Sequence, residues 1–279
     1  MSEYIIFDAL NTKLCTAPFM AAKVILEKLF IANQTVQTEK KDFGFENYAL
    51  NPKAFAENFA LVLAQAGKNG EGIIALENSS FYSLQYAKNY IANNVNIKNE
   101  IEKQLNKFEL TVNFLADVKH ANKLLSTKNV IDNIAKNTKH TFDGFKTAVY
   151  VGSDLNLDFD INDDLNILLN TIKLSKIYFE KELNTNGYDI YTYAPEIALK
   201  MAGAVLADAY DSGADFIITN DIRAFYMFDT CRKKIEKAIG RQISLYVLTI
   251  PQVILLALGE TNKKILGFNE HKVKPTILE

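Results

Sequence analysis

The most informative stretch of this chain is Asp215-Phe216-Ile217-Ile218-Thr219-Asn220, a short apolar run that ends in a polar corner at Asp221. A helix-like run precedes the stretch and another follows it. The same plan occurs 144 positions earlier, where Gly72-Ile73-Ile74-Ala75-Leu76 leads to the corner Glu77-Asn78-Ser79-Ser80. A short, almost continuously apolar run between helices is typical of a buried parallel strand. The repeat therefore predicts a duplicated α/β unit with two matching corners.

The repeat also includes the first strand of each half. Tyr4-Ile5-Ile6-Phe7 and Ala148-Val149-Tyr150-Val151 are apolar stretches at the same offset. Strands that alternate with helices predict parallel sheets covered by helices. The expected fold is α/β, with two similar lobes, each a parallel sheet flanked by helices, related by an internal pseudo-twofold duplication. We expect lobes at residues 1–144 and 145–279, with a crevice between them lined by the carboxyl ends of the strands.

Bulk composition excludes several classes of function. The 279 residues include 31 basic and 33 acidic side chains, with a net charge of −2, so we expect no nucleic-acid partner. No apolar stretch reaches the roughly 18–20 residues of a membrane-spanning helix, and no signal peptide is evident. The two cysteines, Cys15 and Cys231, lie far apart and agree with a reducing compartment. We therefore expect a cytoplasmic protein with no transmembrane segment.

Local signals set some of the element boundaries. Asn51 before Pro52 predicts a helix start, because Asn caps a helix and Pro suits its first turn. Gly213 and Gly259 predict helix ends. The alternation of apolar residues over residues 110–114 predicts a strand within a mainly helical connector.

Several stretches resemble the heterodisulfide reductase B family, whose members are built from paired cysteine-rich domains. Gly213-Ala214-Asp215-Phe216-Ile217-Ile218-Thr219 resembles the Gly-Ala-Asp strand of that family. Leu255-Leu256-Ala257-Leu258-Gly259 resembles its closing helix, and residues 267–275 resemble its C-terminal tail. The opening strand and residues 81–89 also fit, so the resemblance covers essentially the whole chain.

The resemblance implies a redox site that this sequence lacks. In the family, each lobe has a cysteine after its first strand, a Cys-Cys pair and a Cys-x-x-Cys at the strand–helix corner, and these thiolates bind iron–sulfur clusters that pass electrons to a disulfide or a similar acceptor. Other residues stand at the matching positions here: Ala9 and Ser153 after the first strands, Gly44-Phe45 at the first pair, Glu77 and Ser80 at the first corner, and Asp221 and Ala224 at the second. The second pair has no counterpart near residues 184–187.

Ligand chemistry limits what the resemblance implies about cofactors. Iron–sulfur clusters are held mainly by thiolates, whereas Asp and Glu are hard ligands that prefer Mg, Ca or Mn. Cys15 and Cys231 do not stand at ligand positions, and two thiols are too few for a four-ligand site. We therefore expect the fold of the family without its clusters, and we predict no cofactor. Cys231 is interpreted as a packing residue within a helix, while Cys15 near a loop could be a reactive thiol.

The polar corners supply the candidate binding residues. Glu77 and Asp221 could together hold a hard cation or perform acid–base chemistry, although helix capping and the helix dipole also explain acids there. Asn78, Ser79 and Ser80, and likewise Gly152-Ser153-Asp154, could bind an anion, with capping as the alternative. Arg223 lies in the first turn of a helix, where a cation is slightly unfavourable, so we expect a carboxylate partner or a bound anion.

Two sets of side chains receive a structural interpretation. The first set is aromatic and is predicted to be core, although part of it could form a partner surface or line a pocket. It consists of Phe225, Tyr226 and Phe228 with Tyr188, Tyr191 and Tyr193. The second set is the three histidines, His120, His140 and His271, which share no metal-ligand spacing and are interpreted as surface residues.

Two functional hypotheses follow. The first is a cluster-free relative of the heterodisulfide reductase B family that acts as a non-catalytic structural or regulatory subunit of a redox or electron-transfer complex, with other subunits of that complex as partners. The alternative is a small-molecule- or metal-binding protein, or an enzyme, that reuses the crevice. The crevice candidates for this alternative are Glu77, Asn78, Ser80, Ser153, Asp154, Asp221 and Arg223.

Overall fold

The computed structural model describes residues 4–8, 16–29, 31, 34–37, 47–76, 78–152 and 162–277. These residues form two compact units. The first contains residues 4–8 and the described residues from Leu26 to Leu124, and the second contains residues 16–25 and the described residues from Leu125 onward. The lobe boundary between residues 144 and 145 concerns the repeat in the sequence, and it stays a prediction.

The first unit contains a four-stranded parallel sheet with the strand order β2-β1-β3-β4. Its strands are β1 (Tyr4–Asp8), β2 (Gln34–Gln37), β3 (Gly72–Ala75) and β4 (Val118–His120). Phe7 pairs with Ala75, and Ala75 pairs with His120. The predicted α/β architecture is confirmed in this unit.

The second unit contains a sheet of the same kind, with the order β6-β5-β7-β8. Its strands are β5 (Lys146–Tyr150), β6 (Ser175–Ile177), β7 (Phe216–Thr219) and β8 (Tyr246–Leu248). Tyr150 pairs with Thr219 as Phe7 pairs with Ala75 in the first sheet. Thr219 follows Ala75 by 144 positions, but Tyr150 follows Phe7 by 143, so the register moves the first-strand match by one residue.

Helices flank both sheets. Those of the first half are α1 (Thr16–Lys28), α2 (Asn47–Leu50), α3 (Pro52–Lys68), α4 (Asn78–Asn93), α5 (Val95–Leu105), α6 (Ala121–Leu125) and α7 (Lys128–Asn137). Those of the second half are α8 (Asn162–Thr171), α9 (Pro195–Asp211), α10 (Ile222–Phe225), α11 (Arg232–Ile239) and α12 (Ile250–Ala257). A π-helical turn, Tyr226–Thr230, separates α10 from α11. No described helix is long and apolar enough to cross a membrane.

The predicted helix boundaries agree with the structure. The Asn51 side chain accepts a hydrogen bond from the Ala54 N–H at 3.1 Å, and α3 begins at Pro52. Gly213 and Gly259, which follow α9 and α12, have φ angles of +84°. These angles lie in the left-handed region that Gly adopts without strain, so both glycines end their helices as expected.

The strand predicted over residues 110–114 is wrong. Val112–Phe114 is a 3-10 turn, and the edge strand of the first sheet lies later, at β4. Leu110 and Val112 are buried in a cluster with residues of α3 and α5. Their apolar alternation reflects packing against helices and not strand pairing.

In each sheet the chain reverses its direction of strand addition at one place. That place lies between β1 and β3 in the first sheet and between β5 and β7 in the second. Ligands of open α/β sheets bind outside the carboxyl ends of the strands at such a switch point. The corner at Asp221, just beyond β7, therefore lies where a site is expected in the second unit.

Candidate functional site

The corner after β7 is built around the Asp221 side chain. Asp221 is buried and caps α10, because its Oδ1 accepts a hydrogen bond from the Arg223 N–H at 2.8 Å. The Asp221 N–H donates to Thr219 Oγ1 at 3.1 Å. Burial raises the pKa of the Asp221 carboxyl above its ordinary value, while the Arg223 charge and the N–H groups of Arg223 and Ala224 oppose this shift. The capping interpretation of Asp221 is therefore confirmed.

Residues 182–191, here called the capping loop, close over the carboxyl ends of β5 and β7. The N–H groups of Val151 and Gly152 donate to the Glu182 carbonyl oxygen at 3.1 and 2.9 Å. The Tyr150 hydroxyl donates to the Asn184 carbonyl oxygen at 2.7 Å. Because these backbone groups already have protein partners, the Gly152 N–H is not available to the anion suggested for Gly152-Ser153-Asp154.

The capping loop also reaches the corner itself. Asn186 Nδ2 donates to Asp221 Oδ2 at 3.2 Å, and Asn186 Oδ1 accepts from the Tyr188 N–H at 2.8 Å. Both carboxylate oxygens of Asp221 are therefore engaged by the protein. Asn186 belongs to the segment where the family resemblance implies a Cys-Cys pair, so here an amide–carboxylate hydrogen bond joins the loop to the corner.

Arg223 has the carboxylate partner that its position in the first turn predicts. Its guanidinium lies 3.1 Å from Asp189 Oδ1, and it stands over the Tyr188 ring at 5.6 Å from the ring centre. The Arg223 side chain is 14% exposed, whereas that of Asp189 is 59% exposed. The cation is thus held by a surface acid and an aromatic face of the capping loop.

Three tyrosines and one cysteine lie behind this ion pair. The Tyr226 ring contacts Tyr188 and Tyr191 edge to face, at 5.8 and 6.3 Å between ring centres. Burial raises the pKa of Tyr226 to about 12, and the neighbouring Cys231, which shares a hydrogen bond with it, contributes in the same direction. Cys231 is buried in the core of the second unit. The prediction that Cys231 is a packing residue is confirmed.

The C-terminal tail is fastened to the π-helical turn. Asp229 Oδ2 and Oδ1 accept the N–H groups of Lys272 and Val273 at 2.8 and 3.1 Å. Burial raises the pKa of Asp229, although these two N–H groups oppose it. The buried Arg232 guanidinium donates from Nε to the Phe228 carbonyl oxygen at 2.9 Å. The Asp229 carboxylate of the turn and the Arg232 guanidinium at the start of α11 therefore both bind backbone groups of the protein.

The surface interpretation is correct for His140 but wrong for His120 and His271, which are each 1% exposed. His271 packs edge to face between Phe225 and Phe268, at 5.1 and 5.5 Å. Burial, followed by the nearby Lys274 charge, lowers the pKa of His271 to about 3, so the ring is neutral at physiological pH. Residue type alone predicted surface positions for these histidines, but tertiary packing buries His120 and His271.

Hydrogen bonds assign the His271 tautomer. Gln252 Oε1 accepts from the Thr249 N–H at 2.9 Å, so its Nε2 is the donor to the Leu266 carbonyl oxygen at 2.9 Å. The same Nε2 lies 2.7 Å from His271 Nε2, which must therefore accept. The proton resides on Nδ1, 3.7 Å from Asp229 Oδ1. His271 thus joins the tail to α12 through Gln252, while its Nδ1 has no hydrogen-bond partner among the described residues.

The corner of the first unit is polar but has no such closing loop among the described residues. Asn78, Ser79 and Ser80 are all at most 5% exposed. Helix α4 begins at Asn78, so Ser79 and Ser80 lie within its first turn and do not precede the helix as caps. Asn78 Oδ1 has no hydrogen-bond partner among the described residues.

Several candidate residues lie outside the described residues. These are Ala9, Cys15, Gly44, Phe45, Glu77, Ser153 and Asp154. The shared site proposed for Glu77 and Asp221, and the alternative function that depends on it, therefore stay predictions. The described residues hold no group of three or more His, Cys, Asp or Glu side chains that could bind a metal ion.

The donor set at the second corner does not suit an iron–sulfur cluster. Ala224 is buried and carries no donor atom, and Asp221 offers oxygens that are already hydrogen-bonded. Cys231 lies beyond the π-helical turn and contacts Tyr226. Sequence reasoning missed Asn186, Asp189 and Asp229, although Asn186-Gly187 is a turn signal that marks the capping loop.

Comparison with known families places this corner in context. Residues 188–272 match the HdrB-like C-terminal domain. This part of the chain is similar to that domain. The match begins within the capping loop, includes Asp221 and Arg223, and ends in the tail that Asp229 anchors. The resemblance to the heterodisulfide reductase B family inferred from the sequence is thereby confirmed.

A solved structure is similar to this chain over nearly its full length. The crystal structure of a hypothetical protein from Helicobacter pylori matches with a TM-score of 0.83 at 25% sequence identity. The match covers 99% of this chain but 52% of that protein, so the chain spans about half of its length. The two-sheet α/β fold is therefore shared with an experimentally determined structure.

Proposed function

We propose that this protein is a cluster-free relative of the heterodisulfide reductase B family that acts as a non-catalytic structural or regulatory subunit of a redox or electron-transfer complex. One observation carries the proposal: the capping loop closes the carboxyl ends of β5 and β7, where the fold would otherwise place a ligand. The loop that the resemblance associates with cluster-binding thiolates is fastened to the corner by hydrogen bonds within the protein.

The residues of the corner after β7 support a role that involves no catalysis or metal binding at this corner. Both Asp221 carboxylate oxygens accept hydrogen bonds within the protein, Arg223 is paired with Asp189, and Ala224 has no exposed surface. A group that acts as an acid, base or ligand needs an atom free to meet the substrate or metal. These residues instead stabilise the loop and the start of α10.

Exposed apolar side chains at the start of α9 and in the turn before it support a role in assembly. Tyr193, Ile197 and Met201 follow one another at intervals of four residues and are 88%, 54% and 37% exposed. Ile197 and Met201, four residues apart, share one face of α9, and Tyr193 is exposed in the turn just before the helix, so apolar side chains are presented just beyond the capping loop. Exposed aromatic and aliphatic side chains of this kind are typical of partner surfaces. We assign this surface to another subunit of the complex.

The first experiment measures the cluster. The full chain is purified under strictly anaerobic conditions, and its iron and acid-labile sulfide are determined together with its visible absorbance. We expect no iron and no sulfide above background. A stoichiometric cluster would overturn the proposal, because the chain would then carry the redox group for which the corner residues offer no ligands.

The second experiment measures assembly. The tagged chain is expressed in its native host beside a variant with Tyr193→Ser, Ile197→Ser and Met201→Ser. We expect the unmodified chain to retain a partner that contains an iron–sulfur cluster, and the variant to lose it while keeping its unfolding midpoint. Leu50→Ser, at an 83% exposed position in the first unit, is the matched control and should keep the partner. Retention of no cluster-bearing partner by the unmodified chain would contradict the assigned role.

A further inference from the structure

The first unit contains a cleft of about 340 Å³ at the amino end of its sheet. The cleft reaches Ile5 of β1 and Glu71, which immediately precedes β3. One wall is a face of α3, whose residues follow one another at helical spacing. The residues of this wall are Val62, Gln65, Ala66 and Asn69. Small-molecule sites in proteins begin at about 300 Å³, so the cleft has room for a small ligand.

A second wall is the segment that follows α5, which contributes Phe108 and Leu110. Lys68 Nζ donates to the Glu109 carbonyl oxygen at 3.0 Å, so the end of α3 is tied to this segment. Leu110 is buried, whereas Phe108 is 59% exposed. An exposed aromatic ring on the lining of a cleft offers apolar surface to a ligand bound there.

The interior of the cleft is apolar. Four aliphatic side chains of its lining are at most 7% exposed, and these are Ile5, Val62, Ala66 and Leu110. An aliphatic group that enters the space between them leaves water, which favours binding. The interior therefore suits a ligand with an aliphatic body.

Two opposite charges, Lys68 and Glu71, line the same cleft without pairing with each other. Within the described part of the chain, neither side chain forms an ion pair. The Lys68 ammonium has three donors and uses one on the Glu109 carbonyl oxygen, while Glu71 Oε2 accepts from Asn69 Nδ2 at 3.4 Å. A ligand that carries both charges can use both groups, because its carboxylate can meet Lys68 and its ammonium can meet Glu71.

We propose that this cleft binds a small zwitterion with an aliphatic body, which is the chemistry of an aliphatic α-amino acid. The ligand places its carboxylate at Lys68, its ammonium at Glu71 and its aliphatic group on the apolar interior. A cation or an anion with the same body would use only one of the two charges. The site does not depend on the proposed subunit role, because the exposed side chains of α9 and the capping loop belong to the second unit.

L-Leucine is a suitable probe, because isopentylamine lacks its carboxylate and 4-methylpentanoate lacks its ammonium. The full chain is labelled with ¹⁵N, and the side-chain amide resonances of Gln65 and Asn69 on the cleft lining are followed during titration. We expect saturable shifts of both resonances with L-leucine, and binding roughly fivefold weaker or less for each analogue. Absence of a saturable L-leucine response would overturn the proposal. Equal affinity for either analogue would also overturn it, because the missing charge would then contribute nothing.

Substitution of Lys68 distinguishes a contact with the ligand from a structural role. Lys68→Met removes the charge that meets the carboxylate, so we expect L-leucine to bind this variant no better than isopentylamine does. Lys68→Arg keeps the charge and should keep the preference for L-leucine. Lys98→Met is the matched control, because Lys98 is exposed on α5 and does not line the cleft. Unchanged affinity in Lys68→Met, or an equal loss in Lys68→Met and Lys68→Arg, would contradict the assigned contact.

Discussion

The corners that follow β3 and β7 share one backbone plan and differ in how their polar groups are satisfied. Both sheets have the same strand order, and Phe7 and Tyr150 occupy matching register positions. After β7, Asp221 is bonded to the capping loop, whereas after β3, Asn78 keeps an acceptor that no described residue meets. Within the described residues, the chain itself closes the strand end after β7, while Asn78 after β3 keeps an unsatisfied acceptor. The residues of the connecting segments decide which occurs.

The closed corner depends on a glycine that no other residue can replace without strain. Gly187 has a φ of +78°, and a Cβ placed on it would lie 2.5 Å from the Ala198 carbonyl oxygen of α9. The loop thus needs both the left-handed backbone and the close approach to a helix that Gly permits. Asn186, immediately before it, then reaches Asp221.

Substitution of Gly187 should have the largest effect on the closed corner. Gly187→Ala adds left-handed strain and a clash with backbone, so we expect the free energy of unfolding to fall by about 3 kcal/mol in urea titrations. Gly213→Ala is the matched control, because Gly213 has a φ of +84° with nothing within 4 Å of an added Cβ. The control should cost about 1 kcal/mol. Equal losses for the two variants would mean that the loop does not depend on close packing at Gly187.

Removing the Asp221 carboxylate should make the second corner resemble the first. Asp221→Ala removes the helix cap and leaves the Asn186 amide without its partner, so we expect a loss of roughly 2–3 kcal/mol. Asp221→Asn keeps an oxygen that caps α10 and should cost less than half as much. Denaturant unfolding of both variants measures this difference. An alanine variant as stable as the asparagine variant would argue against a specific bond between loop and corner.

Protonation of His271 tests whether the second unit depends on a neutral histidine in its C-terminal tail. The folded pKa of His271 is about 3, below its ordinary value of 6.5, so at lower pH the unfolded chain binds a proton that the folded chain excludes. The contribution of His271 to stability is therefore present above pH 6.5 and is lost as the pH falls, by about 2 kcal/mol between about pH 7 and about pH 5. Urea unfolding across this range measures the loss.

The matched variants for this test are His271→Gln and His140→Gln. The first should remove the contribution of His271 to the pH dependence, because Gln does not titrate. The second changes an exposed side chain and should leave the dependence as it is. The buried Asp221 and Asp229 carboxyls have raised pKa values and act in the opposite direction, so subtracting the His271→Gln profile isolates the histidine. Identical profiles for the unmodified chain and His271→Gln would contradict the buried, neutral state.

The ion pair at the rim should contribute least to the closed corner. Asp189→Asn removes the partner of Arg223, but Asp189 is 59% exposed, so we expect a change of about 0.5 kcal/mol or less that shrinks further in high salt. Urea unfolding at low and high ionic strength measures it. A loss comparable with that of Asp221→Ala would show that the pair, and not the buried carboxylate, holds the loop.

Much of the fold could be predicted because its signals are local. Apolar runs such as Phe216–Thr219, the Asn51-Pro52 start and the glycines after α9 and α12 lie within a few residues of the structure they specify. The error at residues 110–114 has a physical cause, since a period of two in a short segment also fits side chains packed on helices.

The sequence by itself determined the two α/β sheets, the HdrB-like character of the C-terminal part and the absence of cysteines at the corners, because strand and helix periodicity and residue identity are readable without three-dimensional contacts. Only the tertiary structure decided that Asn186 meets Asp221, that Asp189 pairs with Arg223, and that His271 is buried and neutral. These contacts join residues 34 or more positions apart, and their formation depends on how the loops pack over the strand ends.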